Sequence, residues 1–385
     1  MRFRSLVVPL VLLAVAGPAA AQASAAPLTA RYTAIPVAGV SSTTLRAESA
    51  AAATVASWSG SIVSPVGGGT YQYTMVGNSP LVKETSPTTT VGVDLVPVKL
   101  EFNNGTMDPK VATAGCSTKT PLALTSASPV FGTHAYVAGT KKIGTHQYLD
   151  AFQRENFAQY DVGAGSLNPK YNVNLSKTAR PELTVSVPQA DGTIVSYGGG
   201  SCGNLGEMNI SWWDSYVQST LLPSLESSGS TTVTRFPFFL LSNSVMYQGS
   251  MSNCCTIGYH SGVAVASGTQ TYGVGDYDTS GLFSGLSDIG AISHEFGEWL
   301  DDPFVNNATP AWGHIGQVSN CQANLEVGDP LSGTSVKVKM SNGVTYHPQE
   351  LAFFSWFYRQ SPSIGVNGWY SSNDTFTTGA GPVCS

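Results

Sequence analysis

The sequence predicts an α/β or α+β architecture: one large domain on a mixed sheet, with a single helix carrying the chemistry. Three observations lead there. Residues 71–76 and 91–102 alternate apolar with other side chains, as half-buried strands do. Three further segments place apolar residues at helical spacings of three and four. Gly/Ser-rich connections join these pieces without an internal repeat, and strands mixed with a few helices build such layered domains.

In chain order, residues 1–23 read as a secretory signal. Arg2 and Arg4 form a positive start, residues 6–16 a short apolar stretch, and Pro18-Ala19-Ala20-Ala21-Gln22-Ala23 a small-residue exit. The stretch is too short to span a bilayer, and no later run approaches the ~20 residues required, so no membrane contact is expected after cleavage. Residues 24–54, rich in Ala, Ser and Thr, are expected to be a flexible arm. Residues 55–385 are expected to form the folded, metal-binding domain. Its early strands are 71–76 and 91–102, the second ending in an Asn103-Asn104-Gly105 turn. Residues 146–157 form a helix with Leu149, Phe152 and Phe157 to one side, and 210–225 a second through Ile210, Trp213, Val217 and Leu221. Strand-like runs follow at 236–241 and 262–266. The third helix, 287–302, is the clearest. Ile289, Ile292, Phe296 and Trp299 share a face, Ser287 or Asp288 can cap its start, and Pro303 stops it.

Composition narrows the function. Only 11% of the 385 residues are charged, against about 25% in ordinary soluble domains. The formal charge is −6, falling to −8 once Arg2 and Arg4 leave with the signal. No basic run is present to neutralise phosphates, so nucleic acid is excluded as a partner. Six cysteines in an exported chain allow three disulfides among 15 connectivities. The adjacent Cys254 and Cys255 are expected to bond to different partners.

The chemistry gathers in Ser293-His294-Glu295-Phe296-Gly297-Glu298-Trp299-Leu300-Asp301-Asp302-Pro303. A helix puts His294 and Glu298 one turn apart on one face, where an imidazole and a carboxylate can share a divalent metal. Glu295 stands where His-Glu-x-x-His metallopeptidases keep their general base, with Glu298 replacing the second histidine. Asp301 and Asp302 sit at the helix carboxyl end, where the macrodipole disfavours anions, so they should meet a cation or hydrogen-bond donors. Glu326 in Glu326-Val327-Gly328-Asp329 is the first choice for a third ligand. Asp302, Asp329, His314 and His260 are further ligands or supporting partners. Zinc is the expected metal, because a catalytic zinc site takes three protein ligands and leaves a position for water. The carboxylate content also admits calcium or manganese.

The run His294-Glu295-x-x-Glu298, Asp302-Pro303, Asn306, Trp312 and Glu326-x-Gly328-Asp329 resembles a pattern in secreted bacterial proteins and in the plant Exordium (phosphate-induced protein) family. Gln147-Tyr148-x-Asp150-Ala151-Phe152-x-Arg154 and Gly258-Tyr259-His260 look like further pieces, so the resemblance spans roughly residues 90–385. It implies an exported, zincin-like domain with an active-site helix: His294 and Glu298 on the metal, Glu295 as base and Glu326 as third ligand. The expected function is therefore a secreted metal-dependent, peptidase-like hydrolase acting on a peptide or cell-surface substrate. Two alternatives stand beside it. One is a non-catalytic extracellular binding protein with a structural metal. The other is a serine peptidase, since Ser332-Gly333-Thr334-Ser335 resembles the sedolisin serine motif and Glu298 and Asp302 lie four apart.

Overall fold

The computed structural model describes residues 28–38, 42–80, 88–161, 166–169, 171–381 and 384. The expected signal lies outside them. Eleven strands form the main sheet: β1 (Arg31–Ile35), β2 (Thr89–Phe102), β3 (Gly105–Met107), β4 (Val173–Ala179), β5 (Leu183–Ser186), β6 (Gly192–Ser196), β7 (Asn204–Asn209), β8 (Phe236–Ser242), β9 (Ser244–Tyr247), β10 (Cys254–Val265) and β11 (Gly268–Tyr277). The helices are α1 (Ser42–Ala50), α2 (Pro121–Ser126), α3 (Tyr148–Asn156), α4 (Ile210–Tyr216), α5 (Leu222–Ser227), α6 (Gly290–Asp301) and α7 (Phe354–Phe357). The sheet order is β6-β7-β9-β10-β11-β8-β2-β3, with β1 also paired to β10 and β4 and β5 to β2. β8 runs parallel to both neighbours, whereas β10 runs antiparallel to β9 and β11.

Strand makes up 39% and helix 21%, in a large, nearly closed mixed sheet. This corrects the expected zincin-like α/β or α+β domain, because the chain is mostly β. The physical reason lies in strands without an apolar alternation. β11 reads Gly-Thr-Gln-Thr-Tyr-Gly-Val-Gly-Asp-Tyr, yet Thr269, Gln270 and Thr271 are fully buried in it. Pairing on both sides satisfies such backbones, and threonine suits a pleated surface.

The sheet is covered on both faces. In β8 every residue is buried, and Phe238 and Leu240 point one way, Phe239 and Leu241 the other. Phe239 and Leu241 join Trp213, Val217, Leu222 and Leu225 of the helical run 210–227. That expected helix 210–225 is realised as α4 and α5, joined by a π-helical stretch Val217–Leu221. The opposite face holds α6. Phe296 stacks on Phe238 at 4.6 Å and Trp299 on Phe236 at 3.9 Å. Gly297 lets Leu351 approach, since a Cβ there would meet Leu351 Cδ1 at 2.5 Å. α6 has no side-chain cap. Asp288 instead accepts from the backbone N–H of Ile289 and faces His347 Nδ1 at 2.7 Å.

Among the described residues of the expected flexible arm, 24–54, lie β1 and α1, with Tyr32 and Leu45 buried. Three disulfides form: Cys116–Cys202, Cys254–Cys255 and Cys321–Cys384. Cys254 and Cys255 bond to each other, against the expectation of separate partners. The peptide between them is cis and brings their Cα atoms to 3.1 Å.

Candidate metal centre

Three stretches of chain converge. α6 supplies His294, Glu295 and Glu298, β10 supplies His260, and the loop after the strand Val318–Asn324 supplies Glu326 and Asp329. α6 is buried along its whole length, its apolar stripe on the sheet and its acidic stripe turned toward β10 and the loop. Two glycines permit the approach. A Cβ on Gly328 would lie 2.4 Å from His294 Nδ1, and one on Gly258 would lie 2.8 Å from Glu295 Cγ.

The polar atoms form two groups sharing Glu298: His294, Glu298 and Asp329, and His260, Glu295 and Glu298. In the first, Glu298 Oε1 lies 3.0 Å and Asp329 Oδ1 3.6 Å from His294 Nε2. No aligned hydrogen bond joins them, and both ring nitrogens of His294 are buried without a partner. In the second, His260 Nε2 faces the Asp302 carbonyl at 3.2 Å. A carbonyl only accepts, so Nε2 carries the proton and the neutral ring turns its Nδ1 lone pair inward. That lone pair faces Glu295 Oε2 at 3.2 Å and Glu298 Oε2 at 3.8 Å. A lone pair against carboxylate oxygens requires a proton or a cation between them.

Electrostatics point the same way. Burial pushes His260 down to about 3 and His294 down to about 4, so both imidazoles are neutral, the form that ligates metals. Burial, then mutual repulsion, drives Glu295 and Glu326 well above the carboxylate range; Glu298 rises with them for the same reasons. Among the described residues no Lys or Arg pairs with any of them. Four acids and two neutral histidines in a buried pocket could therefore hold a metal ion.

Each expected site residue has a definite place. Asp329 completes the group with His294 and Glu298. It accepts from Gln322 Nε2 at 2.9 Å and from Gln317 Nε2. Glu326 lies on the His260 side, with Oε2 4.0 Å from His260 Nε2 and without a hydrogen bond, while Oε1 accepts from Asn324. Asp302 meets donors: its carboxylate accepts from the backbone N–H groups of Asn306 and Asn307, fixing the turn after α6. Asp301 likewise accepts from Gln153 and Asn156. His314 stands apart and exposed, 3.8 Å from Cys321 Sγ, whose sulfur is taken by Cys384. Ser335 is exposed and bridges Gln349 through backbone, in a loop rather than on a helix.

Sequence reasoning missed Tyr32, whose ring stacks on His294 at 3.5 Å and 8°. It also missed Gln349, which donates to the Gly328 carbonyl at 2.6 Å, and the two glutamines on Asp329. The signal for Tyr32 was the short Arg-Tyr-Thr-Ala-Ile alternation inside an otherwise featureless arm.

Comparison with known proteins finds no matching family model, no matching curated protein and no matching solved structure.

Proposed function

We propose that the protein is a secreted, zinc-dependent hydrolase of peptide-like substrates, with the metal held by His294, Glu298 and Asp329 and Glu295 as general base. The observation that carries this reading is the convergence of His294 Nε2, Glu298 Oε1 and Asp329 Oδ1, within 3.0–3.6 Å of the imidazole nitrogen and without an aligned proton among them. A zinc ion bound there would supply Lewis acidity toward a carbonyl and toward water. The chain's own groups do the rest. Glu295 Oε1 is free of hydrogen bonds and available to take a proton. His260, fixed through the Asp302 carbonyl, turns its Nδ1 lone pair to the other oxygen of Glu295 at 3.2 Å, where it can receive a proton from that carboxyl. Gln317 and Gln322 orient Asp329, and the Gly328 N–H orients Glu298 at 3.1 Å. Three disulfides agree with export, and the likeness to the Exordium pattern agrees with an extracellular role.

A second reading rests on the depth of the site. Glu295, Glu298 and Glu326 are at most 2% exposed, which suits a structural ion in a non-catalytic binding protein. Prolonged incubation with an unstructured peptide separates the two. The hydrolase reading expects cleavage, in the strand-loosened variants if not in the intact chain, that a chelator stops, zinc restores and Glu295→Gln abolishes while keeping its metal. Full metal occupancy without cleavage, in the intact chain and in the strand-loosened variants below, favours the structural ion.

A further inference from the structure

A hydrolytic centre has to admit substrate, and this one is shut. His260, His294 and Glu295 are 0% exposed. Strand β1 shuts it. The Tyr32 ring lies flat over the His294 imidazole, and its hydroxyl is buried without a partner. Gln317 brackets Tyr32, accepting its N–H at 2.6 Å and donating to its carbonyl at 3.2 Å. From there β1 runs parallel to β10, pairing Arg31–Ile35 with the run from Thr256 to Ser261, which contains Gly258 and His260. The far end is fixed by Ser261 Oγ, which donates to the Ile35 carbonyl at 2.7 Å, and by Ile35 packing against the core.

Taking β1 away would expose two features together: the main-chain edge of β10 at 256–261 and the face of the His294 ring. A bare strand edge is a template for another extended backbone. We propose that β1 is an intramolecular occupant of the site's own peptide slot. The chain as folded is the closed, self-inhibited form. The ligand class of the slot is an extended peptide that pairs with β10 in place of β1 and passes over His294. This rests on reading the cluster as a hydrolytic metal site.

The test uses the full chain, loaded with zinc, as wild type, Tyr32→Ala and Ile35→Lys. Tyr32→Ala removes the stack on His294. Ile35→Lys loosens the strand at its far end, away from every ligand, and decides alone where Tyr32→Ala does not fold. Two quantities are read: the rate of zinc transfer to a chromogenic chelator, and binding of a labelled synthetic peptide with the sequence of residues 28–38. Both variants should transfer zinc about 10-fold faster or more, since a stacked ring pair and a strand end gate the opening. Both should bind the peptide where wild type does not, and bound peptide should slow zinc transfer again. Wild-type rates in both variants overturn the proposal. So does acceleration by Tyr32→Ala alone, which makes Tyr32 a local support of His294, and so does faster transfer without peptide binding. If wild type takes up no zinc, the metal reading has failed, and peptide binding to the metal-free variants still decides the slot.

Discussion

Asp94 and Glu298 are both buried acids, and the molecule treats them in opposite ways. Asp94, in β2, is fully buried, and two arginines reach it: Arg180 at 2.6 Å and Arg235 at 2.7 Å. Asp150, in α3, is similarly matched by Arg154 at 3.0 Å and His146 at 2.9 Å. Around Glu298 the same chain buries three more acids and provides no guanidinium or ammonium at all among the described residues. Removing a carboxylate from water costs several kcal/mol unless a countercharge meets it. At Asp94 and Asp150 the scaffold supplies arginine, and at isolated buried acids such as Glu350 it supplies hydroxyl and backbone N–H donors. Where the acids crowd against neutral histidines, a bound proton or a cation has to neutralise them. What sets the α6 pocket apart is crowding: Glu295, Glu298, Glu326 and Asp329 share it with two neutral imidazoles.

The contrast can be broken at several points. The largest effect is expected on catalysis: in the Ile35→Lys background, where β1 is loosened, Glu295→Gln should lower peptide hydrolysis by about 10²–10⁴-fold with zinc content unchanged. Retained activity would remove Glu295 from the chemistry. On the scaffold side, Asp94→Asn leaves two arginines facing a neutral amide and should cost about 3 kcal/mol in denaturant unfolding. A negligible loss would show that the paired acid is not structural.

Proton uptake gives a third test. Burial raises Glu295, Glu298 and Glu326, holds Asp302 at about 7 and holds Asp301 at about 8. In the metal-free protein the folded state keeps protons that the unfolded chain releases near pH 4. Stability from these groups is therefore complete below about pH 4; the share from Asp302 and Asp301 is lost as pH rises through about 7 and 8, and that from the glutamates as pH rises through their raised values. Metal binding opposes that trend, because zinc must displace the protons. Zinc added in weak buffer at neutral pH should release protons, and its apparent affinity should climb as pH rises above the ordinary carboxylate range. A flat profile would mean that the acids were already ionised.

The smallest effect reverses the sign seen at Asp94. In the metal-free protein Glu326→Gln removes a buried acid that its neighbours repel, and it should be neutral or stabilise by about 1 kcal/mol. A clear destabilisation would reveal a countercharge for Glu326 that the geometry does not contain.

Local pattern carried part of this into the sequence. Ile292, Phe296 and Trp299 announced α6 because a helix that packs on a sheet needs an apolar stripe, and the same period put His294 and Glu298 on one face. β2 and β8 were legible because their apolar content is high. β11 was not, since buried threonine and glutamine hide a strand from any hydrophobic pattern. Sheet order and the share of strand were not legible either, because β10 gains β1 from more than two hundred residues away. For the same reason Tyr32 was passed over. Nothing local to β1 marks it as the cover of His294, and only the register of Tyr32 with Gly258 places it there.

Metal analysis of the purified chain, prepared without chelator beside His294→Ala and Glu298→Ala, tests the metal centre most directly. One zinc per wild-type chain, lost in both variants, is the expected result. A wild-type chain that carries no metal and takes up none when zinc is added would contradict it.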